Sequence, residues 1–141
     1  MRKLLYLAAL LTTLSTAAAQ FAVAPYGPNC GPTATGEVTP VGATYRFAFT
    51  VSDCAPRVFV MNIFGVGQQM TPINFGYPCY LLTDIAFSQI HQTDAVGSYT
   101  WSHAMPNGFR GEACVQFAEV TFTMDGSLVV RTSNGLHMTP L

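Results

Sequence analysis

The sequence predicts an all-β fold, a disulfide-linked antiparallel β-sandwich of jelly-roll or immunoglobulin-like kind with about seven to nine strands. Three observations carry that prediction. Twelve glycines and nine prolines break the 141-residue chain at short intervals. Between the breaks, apolar residues alternate or run in short blocks and do not recur at helical spacing. Four cysteines, Cys30, Cys54, Cys79 and Cys114, lie far apart with no C-x-x-C pair among them. Zinc ribbons and redox motifs need two sulfurs presented by one turn, so two structural disulfides are the expectation, with all three connectivities open.

The segment preceding the cysteines sets their compartment. Arg2-Lys3 is a positive start, Leu4 to Leu14 an apolar core, and Ala17-Ala18-Ala19 a small-residue cleavage signature. Residues 1–19 read as a secretory signal peptide and residues 20–141 as a single domain. The apolar stretch is interrupted by Thr12, Thr13 and Ser15 and falls short of the roughly 20 residues of a spanning helix. No membrane span is expected after cleavage, and the protein is expected to be secreted, periplasmic or at the cell surface, where disulfides persist.

The elements follow in order. Phe21 to Tyr26 reads as an edge strand, ended by the rigid turn Gly27-Pro28-Asn29-Cys30-Gly31-Pro32. Ala34 to Val38 resumes a strand. Thr44 to Val51 alternates, with Tyr45, Phe47, Phe49 and Val51 on one face. Arg57 to Val66 is nearly continuously apolar, as a central strand covered on both faces would be. Pro72 to Pro78 reads as loop, Tyr80 to Leu82 and Ile85 to Ile90 as short strands, and Thr93 to Gly97 as a turn. Ser98 to Ala104 alternates Tyr99, Trp101 and His103 against Ser98, Thr100, Ser102 and Ala104. Cys114 to Met124 is the longest candidate. Asp125-Gly126 then turns it into Leu128 to Arg131, and Leu136 to Thr139 closes the domain.

Charge narrows the partners. Lys3 is the only lysine, and beyond Ala19 four arginines, Arg46, Arg57, Arg110 and Arg131, stand against seven acids. So few scattered cations cannot track a phosphate backbone, which excludes nucleic acid. With 9 % charged and 50 % hydrophobic residues, the surface is mostly uncharged and suits a glycan, a surface protein or self-association. Phe21 to Pro25 is a candidate donor strand for a neighbour's exposed edge, or else the domain's own first strand.

Several landmarks occur in sequence: Tyr26-Gly27-Pro28-Asn29-Cys30-Gly31, Ala55-Pro56, Gly76-Tyr77-Pro78-Cys79 before Tyr80-Leu81-Leu82, Ala95-Val96-Gly97, Met105-Pro106, Gln116, and Ser133-Asn134-Gly135-Leu136. In that order they resemble a group of small secreted or C-terminal β domains common in planctomycetes and some other bacteria, which begin Tyr-Gly-x-x-Cys and end Ser-Asn-Gly-Leu. The resemblance spans nearly the whole chain beyond residue 19. It implies a β-sandwich, no assigned activity, and two cysteines matching Cys30 and Cys79. It thereby favours the pairs Cys30–Cys79 and Cys54–Cys114.

Candidate chemistry is sparse. Tyr80, Tyr99 and Trp101 could form an aromatic platform for sugar rings, whereas the bland reading makes Tyr99 and Trp101 an inward core stripe. His91, His103 and His137 with Asp84 or Asp94 could build a metal site or hydrolytic dyad, yet none stand at ligand spacing and no G-x-S-x-G turn is present. Asp53, Asp84 and Asp94 could hold calcium, but turn capping explains them with less. Glu37, Glu112, Glu119 and Asp125 complete the acids from which a glycosidase pair would come. No catalytic residue, metal or cofactor is expected. The leading expectation is a non-catalytic secreted or cell-surface module with a structural or adhesive role; the alternatives are a carbohydrate-binding module on the aromatic platform and, third, a small hydrolase.

Overall fold

The computed structural model describes residues 21–141, so the signal-peptide reading lies outside the described residues. Eleven strands form in chain order: β1 (Phe21–Tyr26), β2 (Thr33–Val41), β3 (Thr44–Ser52), β4 (Phe59–Gly65), β5 (Gln68–Asn74), β6 (Pro78–Thr83), β7 (Phe87–Gln92), β8 (Tyr99–Pro106), β9 (Ala113–Phe122), β10 (Leu128–Thr132) and β11 (Gly135–Pro140). All pairings are antiparallel. The larger sheet runs β1-β11-β9-β4-β7, with β10 beside β11 along the same edge of β9. A smaller sheet, β2-β3-β8, packs against one face, and the hairpin β5-β6 lies over part of the other.

The alternation of β3 builds the core. Tyr45, Phe47, Phe49 and Val51 are buried against Val60 and Phe64 of β4, Val115 and Phe117 of β9, and Leu136 and Met138 of β11. Each such apolar side chain contributes roughly 1.5–3 kcal/mol on leaving water. Phe21 of β1 sets its ring edge-on to Tyr45 and Phe47, 5.4 and 5.3 Å between centroids.

The outer layer is held by polar groups. Gln116 is wholly buried; its Oε1 accepts from the Leu82 amide at 2.9 Å, and its Nε2 donates to the carbonyls of Tyr80 and Ser133 at 3.0 and 2.9 Å. Ser133 and Asn134 interrupt the edge between β10 and β11. The Phe117 amide donates to Ser133 Oγ, and the Asn134 amide side chain bonds both backbone groups of Ala34. The Cys30–Cys79 bridge ties the turn after β1 to β6 across 49 residues, which in the chain-entropy view contributes on the order of 4 kcal/mol.

Three expectations need correction. The strand count is eleven, above seven to nine. Gln68 to Asn74, expected in part as loop because of Pro72, is strand β5; proline is tolerated there because the two-stranded hairpin leaves an unpaired edge. Cys54 and Cys114 are not bridged but are free and buried. Ala55, next to Cys54, donates its amide to Glu119, and Glu119 stands five residues along β9 from Cys114. That is roughly 17 Å of extended strand, where a disulfide needs Cα atoms within about 7 Å. Of the two readings of Phe21 to Pro25, that of the domain's own first strand holds: it pairs residue for residue with β11 of its own chain.

Candidate functional site

The two sheets are unequal, and the site follows from that. On one side β1 and β2 bring them together. On the other, the edge strands β7 and β8 face each other with no strand between them. Register puts Phe87, Gln89 and His91 of β7 on the inner face, because they oppose Phe64, Asn62 and Val60 of β4. The period-two run of β8 turns Tyr99, Trp101, His103 and Met105 toward them.

At one end the gap is closed by the His91 and Tyr99 rings, stacked at 4.3 Å. Toward the other end it widens into a cleft of about 450 Å³. Phe64 stacks on Phe87 at 4.5 Å and meets Trp101 at 4.9 Å; Trp101 also lies against Phe49 and His103. Phe109, Met105 and Met138 complete an apolar lining in which Gln89, His103 and Glu112 bring the polar side chains. Phe87 is half exposed, at 51 %. The lip is shaped by Asp84, whose carboxylate accepts from the amides of Val66 and Gly67 at 2.8 Å each. These backbone bonds, that to Gly67 foremost, hold its carboxyl below the usual range.

Behind the stacked rings lies a buried amide. Asn62 is fully buried between Val60 and Phe64, with no protein hydrogen-bond partner for its amide. Burial pushes the Tyr99 phenol up.

The structure brings together two of the three platform residues. Tyr99 and Trp101 are half-buried neighbours on β8, while Tyr80 sits on β6 beyond the opposite face of the larger sheet. The inward stripe and the aromatic platform are thus the same residues, on an edge left open. Phe64, Phe87 and Phe109 are not singled out by the sequence, which reads as a strand over Ile85 to Ile90 but does not say that this strand faces Trp101.

The other candidates are dispersed. His91 stacks on Tyr99, His103 on Trp101, and His137 lies 3.6 Å from Glu112. Asp94 caps the turn before β8 by accepting from Val96 and Ser98 amides. Glu119 is buried and paired with Arg131 at 2.5 Å. Among the described residues no three His, Cys, Asp or Glu side chains gather closely enough to hold a metal ion, and no helix is long and apolar enough to cross a membrane. Comparison of the chain with protein-family models, curated proteins and solved structures finds no match.

Proposed function

We propose that the protein is a secreted, non-catalytic binding module with an adhesive role, and that it seats a planar apolar ring in the β7–β8 cleft. The observation that carries this reading is the cleft itself, about 450 Å³ with ring faces for walls. That volume is of the few hundred Å³ usual for small-ligand sites. Aromatic faces reward offset or edge-on contact with another ring by roughly 0.5–1.5 kcal/mol beyond simple burial. A sugar asks for many hydrogen bonds, and Gln89, His103 and Glu112 supply few, so the lining favours an apolar ring over the glycan alternative. The signal-like segment and the Cys30–Cys79 bridge support an extracytoplasmic address.

Trp101 is the only tryptophan, so its indole N–H gives one isolated NMR signal at the site. Titration with 2-naphthol is expected to move that signal saturably, and cellohexaose to leave it in place. Phe87→Ala, a change at a half-exposed position, is expected to weaken the naphthol response roughly tenfold. An indole signal indifferent to naphthol, or one that answers to cellohexaose first, would replace this reading with another.

A further inference from the structure

The face of the larger sheet turned away from the core is only half covered. Strand pairing sets Phe59 and Met61 of β4, Ile90 of β7, Val120 and Phe122 of β9 and Val130 of β10 side by side on it. The β5-β6 hairpin covers the neighbouring Ile63, Gln116 and Ala118 and reaches Val130, whose amide donates to the Phe75 carbonyl, but leaves Phe59, Ile90 and Phe122 open. Phe59, Ile90 and Phe122 are 54, 64 and 62 % exposed.

Two features point to what covers them. No outward position of β4, β7, β9 or β10 carries Asp, Glu, Lys or Arg. The adjoining edge strand β7 also lacks any Asp, Glu, Lys, Arg, proline or bulge, so that margin carries none of the devices that guard exposed strand edges. A neutral face offers a charged partner nothing and is its own electrostatic complement, and the chain's small net charge adds little repulsion between copies. We propose that a second copy of this chain covers the face, the two larger sheets packing against each other about a two-fold axis. Phe75 and Tyr77, 50 and 46 % exposed at the hairpin tip beside β10, extend the surface toward the roughly 800 Å² per partner of specific dimers.

Sedimentation equilibrium of the purified secreted protein, from micromolar to hundreds of micromolar, tests the proposal. The expected mass is twice that of the chain. Ile90→Lys with Phe122→Lys places like charges on the face and is expected to weaken association at least about tenfold, with the melting temperature unchanged at dilutions where both proteins are monomeric. The milder pair Phe59→Thr with Phe122→Thr, which keeps β-propensity, shifts it in the same direction. Val96→Lys, on the exposed turn before β8, leaves it as in the wild type. A wild-type protein monomeric at every concentration, or paired variants that associate as the wild type does, would overturn it.

Discussion

Cys54 and Cys114 show how burial decides reactivity. Burial pushes the Cys54 thiol up to about 12, with the Glu119 carboxylate adding to the shift, and raises Cys114 as well. Attack on disulfides and alkylating agents runs through the thiolate, so both should be inert in the folded protein. Titration with a thiol reagent is expected to find no reactive sulfhydryl in the native state and two after denaturation without reductant; none after denaturation would restore a second bridge. Asp84 makes the opposite case. Its folded pKa is depressed, so the stability it confers is present above the ordinary carboxylate range and is lost as pH falls through the lower folded value. The melting temperatures of wild type and Asp84→Asn should therefore differ at neutral pH and converge well below about pH 4. A difference unchanged by acid would assign the residue a role other than its charge.

At the scale of the element, several landmarks of the chain serve the joints between layers. Tyr26 donates its hydroxyl to the Leu82 carbonyl, Gln116 bonds Leu82, Tyr80 and Ser133, and Asn134 bonds Ala34. A Cβ at Gly135 would strike the Tyr26 ring, which is why glycine stands there. Tyr26 and Gln116 fasten the β5-β6 hairpin to the larger sheet, Asn134 ties β2 to it, and none of them lines the cleft. Gln116→Leu would fill the space yet orphan the buried Leu82 amide and Ser133 carbonyl, at about 1–3 kcal/mol each. Chemical denaturation should find a loss of about 3 kcal/mol or more, and a near-neutral change would mean that the hairpin is held by apolar contact alone. Elements with one wet face were legible for the same physical reason. β3 and β8 alternate because each has a buried and an open side, whereas β5 hid behind Pro72 because an edge ladder asks so little of its residues.

At the scale of the whole molecule, the cleft is a consequence of sheet number. Five strands abreast meet three, and the aromatic parity of β7 and β8 is left facing across the difference. No local pattern encodes that, because periodicity tells which side chains share a face and not which faces meet. The inward reading of Trp101 and its reading as a binding residue seemed to exclude each other in sequence; an open sandwich edge lets both hold.

Calorimetric titration of the protein with 2-naphthol at several temperatures tests the central claim most directly, since burial of apolar surface leaves a negative heat-capacity change whatever the sign of the enthalpy. The account predicts one ring bound per chain, a negative heat-capacity change, and affinity weakened roughly tenfold in Phe87→Ala but unchanged in Ile90→Lys with Phe122→Lys. Absence of saturable heat, or an affinity that falls in the outer-face variant and is unchanged by Phe87→Ala, would contradict it.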